Sequence, residues 1–187
     1  MAKPCVNIGV FMDPDYDLIA NCVLSIVNYC ALNINKITIK PILHETNYKM
    51  KHNVILVNTT TRRIDFEKAL DNVDDGGVLV INADERGIDL LNFKRPINVI
   101  SYGFNPKSTV TVSSVTKEEY LSVQCCVQRG FYSLSGDFIE PMEFSFNIGD
   151  QNATTHHVLA SVIVSALCGC SITQMESLYL IPMPCFD

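Results

Sequence analysis

Three short and mostly apolar runs, residues 53–57, 78–81 and 97–100, constrain the fold of this chain more than any other feature. Continuous runs of Val, Ile and Leu are typical of strands in a parallel sheet that is covered on both faces. Stretches of helical length separate these runs, which favours right-handed crossovers between parallel strands. We therefore expect the three strands to be parallel, adjacent or nearly so, and buried on both faces.

The start of the chain predicts a strand over residues 6–11, a tight turn and an amphipathic helix that continues to Cys30. Many α/β proteins hold a phosphate group with this order of elements, at the N-terminus of the helix. The turn in this sequence carries Asp13, Asp15 and Asp17 and contains no lysine. The scaffold is therefore suited to phosphate, but the side chains are not.

The acidic turn has two interpretations. Asp13 can cap the helix, while Asp15 and Asp17 interact with the positive end of the helix dipole. Alternatively, the carboxylates hold a hard cation such as Mg²⁺. A polyphosphate lying directly on the turn is disfavoured, because three carboxylates would face it without a cationic partner. We favour the capping interpretation and expect no bound metal.

Other elements in the first half follow from the same patterns. A second strand is predicted over residues 36–43. A helix should begin near residues 59–61, extend through Val73 and stop at 74–77, and a shorter helix should cover 85–93. Strands that alternate with helices in this way indicate a parallel sheet with helices on its faces.

The pattern changes after Gly103. Three strand-like stretches follow without a long helix between them, and a turn at 135–137 separates the last two. A helix over residues 153–167 comes next, and Gly169 should end it. We therefore expect a small antiparallel sheet appended to the parallel one, formed by residues 109–115, 120–128 and 138–146.

The chain is predicted to be one α/β domain over residues 1–187, with a mostly parallel three-layer sheet. Residues 1–103 should form the parallel part, 104–148 the antiparallel subsheet, and 149–187 a closing helix and tail. The composition, with 48% hydrophobic and 18% charged residues, is that of a globular protein.

Charge and hydropathy exclude two classes of partner. The net charge of −6 argues against non-specific binding to nucleic acid. The longest apolar helical stretch, residues 158–167, is too short to cross a bilayer. We recognise no secretory signal in the sequence and expect a cytoplasmic protein that binds neither nucleic acid nor membrane.

The eight cysteines lie in apolar surroundings without a paired C-x-x-C motif, so we expect reduced, buried thiols. Only one set hints at a metal, namely Cys168 and Cys170 with His156 and His157. The histidines precede the cysteines by about a dozen residues on one helix, roughly 18 Å away, so one ion cannot join the two groups.

Ligands of parallel sheets bind beyond the carboxyl ends of the strands. In this chain the predicted strand ends carry Asp13, Asn58, Asn82 with Asp84, and the pair Tyr102-Gly103. These polar side chains should line one crevice, which is the candidate ligand site.

The order of elements resembles the central ATPase domain of the Mur ligases, which are ATP-dependent amide ligases of peptidoglycan synthesis in bacteria. Residues 80–85 look like the strand of that family that ends in Asn-x-Asp-Asp, and residues 97–103 look like its strand that runs into Tyr/Phe-Gly. Residues 149–152 look like its Gly-x-His-Asn element, which an alanine-rich helix follows. The resemblance covers almost the whole chain and is strongest in the second half.

The sequence departs from this family at its two most demanding sites. The phosphate loop of the family, Gly-Thr-x-Gly-Lys-Thr, corresponds to residues 12–17, where Tyr16 replaces the lysine and Asp17 replaces the Mg²⁺-binding hydroxyl. An Asp-His pair of the family, whose histidine ligates a metal, is replaced by Arg62-Arg63, and arginine cannot coordinate a cation.

At the adenine-binding element the match is partial. The resemblance implies an adenine contact for Asn152, but Gln151 stands where the family has a histidine. The domains of the family that bind the UDP-linked substrate and the incoming amino acid have no counterpart in this sequence. Amide ligation needs an intermediate held between domains and away from water.

We therefore expect a non-catalytic relative that binds a small ligand or a protein, the protein being an unidentified partner or a second copy of the chain. No catalytic residue and no resident cofactor is expected. The candidate ligand crevice comprises Asp13, Asp15, Asp17, Asn58, Arg62, Arg63, Asn82, Asp84 and Asn152.

An alternative is an ATP-binding subunit of a Mur-type ligase whose substrate domains lie on another chain. Arg62 and Arg63 would then clamp phosphate oxygens in place of the missing lysine, with Mg²⁺ as a companion ion. The simpler interpretation of the two arginines is a solvated first turn of helix. A third possibility discards the resemblance and leaves a generic α/β domain that binds a small molecule.

Overall fold

One β-sheet of nine strands forms the centre of the computed structural model, which describes residues 5–11, 15–30, 36–42, 50–58, 70–85 and 96–180. A separate pair of short strands and three helices complete the described elements. The strands of the sheet are β1 (Cys5–Phe11), β2 (Lys36–Ile42), β3 (His52–Val57), β4 (Val73–Asn82), β5 (Asn98–Tyr102), β6 (Val110–Lys117), β7 (Leu121–Val127), β10 (Met142–Ile148) and β11 (Tyr179–Leu180). The separate pair is β8 (Phe131–Tyr132) with β9 (Phe138–Ile139), and the helices are α1 (Tyr16–Tyr29), α2 (Thr155–Leu167) and α3 (Ile172–Glu176).

The strand order is β11-β10-β7-β6-β5-β4-β3-β1-β2. Strands β1 to β5 are parallel to their neighbours, and β6 is parallel to β5. Strand β7 is antiparallel to both β6 and β10, and β11 is parallel to β10. An α/β fold with a mostly parallel sheet is thereby confirmed. The predicted adjacency of the three apolar runs is also confirmed, because β3, β4 and β5 are consecutive and parallel.

Two apolar cores lie on opposite faces of the parallel strands. On β3, Val54 and Leu56 contribute to one core while Ile55 and Val57 contribute to the other. Strand β4 alternates in the same way and is buried on both faces from residue 78 onward. The prediction is wrong for the first half of β5, where Asn98 is exposed and Val99 is half-buried.

Helices α1 and α2 both contribute to the larger core and pack on each other. Helix α2 has almost no exposed face, because it contacts strands β3 to β7 as well as α1. It ends as predicted at Gly169, whose φ of 98° is left-handed. The N–H of Gly169 donates to the carbonyl of Ala166 and that of Cys170 to the carbonyl of Ser165, which together form a Schellman motif.

The sequence predicts a small antiparallel sheet appended to the parallel one, but the antiparallel strands belong to the main sheet. Strand β6 pairs with β5 at Tyr102 and Val110, so β6, β7 and β10 extend the main sheet. Burial alternates along β7 and β10, as expected where one sheet face packs on the core and the other meets water.

The predicted strand over residues 138–146 is two strands, β9 and β10. Pro141 lies between them and has no N–H for a strand ladder, which explains the break. The predicted turn at 135–137 consequently joins the short strands β8 and β9.

A second correction concerns residues 73–77. The helical segment before them ends at Asp71, and Val73 already belongs to β4, paired with His52. The next pair is Val54 with Val78, so residues 74–77 interrupt the ladder, with Gly76 at a left-handed φ of 77°. The predicted helices that begin near 59–61 and at 85–93 lie largely outside the described residues.

The seven cysteines within the described ranges are free thiols, and five of them are buried. The prediction of burial is wrong for Cys5, which is exposed, and for Cys126, which is half-buried. Burial raises the pKa of Cys168 to about 12, and burial with the neighbouring Cys126 raises the pKa of Cys125 to about 12. Cys185 lies outside the described residues. No described helix is long and apolar enough to cross a membrane.

The burial of His52 should make the stability of the fold sensitive to acid. Its side chain packs across Gly9 of β1, where a Cβ would lie 3.0 Å from the imidazole, and the residue is 5% exposed. Burial and nearby Lys40 lower its pKa, although carbonyls of Asn72 and Met50 partly oppose this. Because the folded pKa lies below the unfolded value, His52 leaves stability unchanged above about pH 6.5 and costs stability as the pH falls below it.

We therefore expect NMR titration to find the imidazole pKa of His52 below about 6.5. The free energy of unfolding of His52→Gln should fall less between pH 7 and pH 5 than that of the unsubstituted chain. A normal or raised pKa for His52 would contradict this account.

Candidate functional site

Buried polar side chains meet at the carboxyl ends of three neighbouring parallel strands. The Asn82 side-chain amide donates to the carbonyl oxygen of Asn58 (2.9 Å), and the Tyr102 hydroxyl donates to Asn58 Oδ1 (2.7 Å). All three residues are buried. These groups hold the ends of β3, β4 and β5 together and form the floor of the candidate crevice.

The Asp84 carboxylate lies above this floor and joins three parts of the fold. It accepts hydrogen bonds from the N–H groups of Phe104 (2.7 Å) and Asn105 (3.0 Å), and it contacts His156 Nε2 at 2.8 Å. Its own backbone N–H donates to Asn82 Oδ1 (3.1 Å). Asp84 thus links the end of β4, the β5–β6 loop and the first turn of α2.

The charge state of Asp84 follows from these contacts. Partial burial by itself would raise the pKa of the carboxyl, but the hydrogen bonds from Phe104, His156 and Asn105 outweigh it, and the pKa lies below its ordinary value. Asp84 is therefore a carboxylate near neutral pH and can only accept hydrogen bonds.

Gly103 makes this arrangement sterically possible. Its φ is 141°, and a Cβ at this position would overlap the Asp84 carboxylate, coming within 2.7 Å of Cγ. The carbonyl of Gly103 also accepts a hydrogen bond from the buried Thr111 hydroxyl (2.8 Å). A residue without a side chain is required here for the carboxylate to approach the loop.

His157 is committed to the structure of the helix. It is the third residue of a capping box in which the Thr154 hydroxyl accepts from His157 N–H and Thr154 N–H donates to His157 Nδ1 (3.2 Å). Because Nδ1 accepts, the ring proton is on Nε2, which lies 3.2 Å from Asp15 Oδ2. Both ring nitrogens are therefore used, and they connect the start of α2 to the start of α1.

His156, the preceding residue, keeps one nitrogen available. Its Nε2 must donate, because its partner Asp84 is a carboxylate, so in the neutral imidazole Nδ1 carries the lone pair. The described part of the chain offers Nδ1 no hydrogen-bond partner. The imidazole is 27% exposed, and the ring of Phe104, a residue 54% exposed, packs edge-on against it at 5.2 Å. An oriented acceptor and an exposed aromatic ring thus lie side by side.

Of the predicted site residues, Asn58, Asn82 and Asp84 are brought together. Asp15 and Asp17 are exposed at the start of α1, and Asp15 pairs with His157 without making a side-chain cap. Asp13, Arg62 and Arg63 lie outside the described residues.

Asn152 is the last of the predicted site residues, and Tyr16 stands where the Mur ligase family has its phosphate-loop lysine. Asn152 is exposed in the turn before α2, where its N–H donates to Asp150 Oδ1 (2.8 Å). The Tyr16 hydroxyl donates to the carbonyl oxygen of Ile39 on the edge strand β2 (2.9 Å).

Sequence reasoning missed His156 and Phe104 as site residues. The sequence pattern indicates His156 only as a metal ligand together with the distant cysteines. A helix that follows the last long strand and runs back across a parallel sheet begins at the carboxyl edge, so its first turn was the signal available. Phe104 directly follows Tyr102-Gly103, which had been placed at that edge.

Within the described ranges, no three or more His, Cys, Asp or Glu side chains are grouped so that they could hold a metal ion. The sequence matches no protein-family model and no curated protein. The resemblance to the Mur ligases accordingly stays a prediction.

The Gly103 geometry predicts the effect of one methyl group. Gly103→Ala should lower the free energy of unfolding by about 2 kcal/mol more than Gly136→Ala, because only the former drives a Cβ into a carboxylate. Gly136 is the matched control: its φ of 93° is also left-handed, but a Cβ there meets nothing within 4 Å. Urea unfolding of both variants measures the difference.

A double-mutant cycle tests the cause. The cost of Gly103→Ala should shrink when Asp84 is already Ala, because the overlapping carboxylate is gone. Equal costs for Gly103→Ala and Gly136→Ala, or no coupling to Asp84, would contradict this interpretation.

Proposed function

We propose that this chain is a non-catalytic binding domain that takes a small ligand in the crevice beyond the carboxyl ends of β3, β4 and β5. The observation that carries the proposal is the Asp84–His156 pair, in which His156 Nδ1 has no hydrogen-bond partner among the described residues and lies beside the exposed Phe104 ring. An oriented acceptor next to an aromatic surface suits a planar, polar ligand that donates a hydrogen bond.

The floor of the crevice supports this role because it needs no ligand to be complete. Asn58, Asn82 and Tyr102 satisfy one another, and Asp84 is held by two backbone N–H groups. The rim is therefore already in position, so binding a ligand costs little conformational entropy for ordering it.

The charge at the rim argues against a polyphosphate as the ligand. The first turn of α2 would attract an anion, but the carboxylates of Asp84 and Asp15 already contact its two histidines. A phosphate chain placed there would face both carboxylates at short range. A neutral ligand avoids that repulsion, which fits a binding domain better than an ATPase.

We further propose that the domain is a relative of the Mur ligase central domain that has lost ligation. Support comes from the parallel strands followed by antiparallel ones, from Tyr102-Gly103 ending β5, and from the helix that follows residue 152. The alternative, an ATP-binding subunit of a divided ligase, depends on Arg62 and Arg63 as phosphate clamps. Adenine and ATP are consequently the informative probes.

The test is titration of the full chain with adenine, followed by amide NMR. Adenine is planar and neutral near pH 7 and donates N–H groups. We expect saturable shifts at Phe104, Asn105 and His156, and about tenfold weaker binding by His156→Gln, which keeps an N–H for Asp84 but lacks the ring. Tyr132→Leu, at an exposed tyrosine of β8, is the control and should bind normally.

The same preparation is then given ATP with Mg²⁺ in calorimetry and a phosphate-release assay. We expect neither submicromolar affinity nor steady hydrolysis. Hydrolysis at a steady rate would overturn the non-catalytic assignment in favour of the ligase subunit. Adenine shifts that avoid this crevice, or that survive His156→Gln, would show that the ligand site is elsewhere.

A further inference from the structure

A second cavity lies at the other end of α2, about 20 Å from the Asp84–His156 pair along this 13-residue helix. Its volume is about 400 Å³, within the range of sites for small ligands. The β8–β9 hairpin forms one side, and the turn after α2 with the start of α3 forms the other.

The walls of this cavity offer apolar contact and include one aromatic residue. Ile139, Met142 and Ile172 contribute aliphatic surface. Phe138, which is 51% exposed, is also a lining residue. Its ring lies over Gly130, where a Cβ would come within 2.8 Å of ring carbon Cε2, and it packs against the Tyr132 ring with 5.0 Å between the centroids.

The charges at the cavity are of one sign. Asp137 and Glu140 line it, and none of the described lining residues is Lys, Arg or His. Neither carboxylate forms an ion pair with a described residue. The Asp137 carboxylate is positioned by the Ser135 hydroxyl (2.7 Å), and Asp137 N–H donates to Ser133 Oγ (3.0 Å).

The end of α2 adds to this negative potential. Ala166 and Gly169 line the cavity, and the last turn of α2 carries no basic residue to balance the negative end of its dipole. The opposing helix α3 has five residues, too few to supply a comparable positive end. An anion is therefore repelled from the cavity, whereas a cation is attracted.

We propose that this cavity binds an organic cation, an ammonium or guanidinium group carried on an aliphatic stem. The charged group lies near Asp137 and Glu140 with the Phe138 ring face beside it, and the stem packs on Ile139, Met142 and Ile172. The same chemistry occurs in a free aliphatic amine and in a lysine or arginine side chain of another protein.

The experiment uses the full chain with ¹³C-labelled Met and Ile methyl groups, titrated with 1,5-diaminopentane. We expect saturable shifts of the Met142, Ile139 and Ile172 methyl signals. The matched control ligand is 1,5-pentanediol, which has the same stem without the charge and should leave these signals in place. Equal shifts from the diol, or none from the diamine, would overturn the proposal.

Single substitutions test whether the two carboxylates bind the charged group of the diamine. Glu140→Gln and Asp137→Asn should each weaken diamine binding about threefold, as expected for partly exposed charge pairs. Glu143→Gln, on β10 but outside the cavity lining, should bind normally. Because Asp137 also holds the hairpin turn, Glu140→Gln is the deciding variant, and unchanged affinity in it would contradict the proposal.

A capped lysine tripeptide distinguishes the two sources. Binding of the peptide at least as tight as that of the diamine, with the same methyl shifts, identifies a side chain of another protein as the natural occupant. Binding of the diamine alone identifies a free amine. Either result supports the cation site.

Discussion

The candidate site depends on one carboxylate that accepts hydrogen bonds from two separate parts of the chain. Asp84 receives the N–H groups of Phe104 and Asn105 and the imidazole N–H of His156. Hydrogen bonds to a charged group are stronger than those between neutral groups. The β5–β6 loop and the first turn of α2 are therefore placed by the same residue. The left-handed backbone of Gly103 leaves the room that this carboxylate needs.

The two consecutive histidines of α2 show how a helix divides roles between neighbours. Successive side chains on an α-helix point about 100° apart, so adjacent residues face different parts of the fold. His157 faces α1, and its two ring nitrogens contact Thr154 and Asp15. His156 turns towards the sheet edge, where Asp84 orients it, and its Nδ1 has no hydrogen-bond partner among the described residues. The acidic residue Asp15 thus serves the packing of two helices and not the crevice.

Much of the fold could be predicted because its signals are local. Continuous apolar runs identified β3 and β4, and the parallel order placed Asn58, Asn82 and Asp84 at one edge. The irregular start of β4 could not be predicted in this way: Asp74-Asp75-Gly76-Gly77 has the sequence of a turn, yet Val73 pairs with His52 through a contact made only in the folded sheet. The role of His156 was hidden for a similar reason, since its partner Asp84 lies 72 residues away.

Asp84 holds neutral His156 as the tautomer protonated on Nε2. Long-range ¹H–¹⁵N NMR of the full chain, at a pH where the ring is neutral, reads this tautomer directly. The account predicts a protonated Nε2 and an unprotonated Nδ1 for His156, and loss of that preference in Asp84→Asn, whose amide can donate to the ring. A proton on Nδ1, or a tautomer balance that Asp84→Asn leaves unchanged, would contradict it.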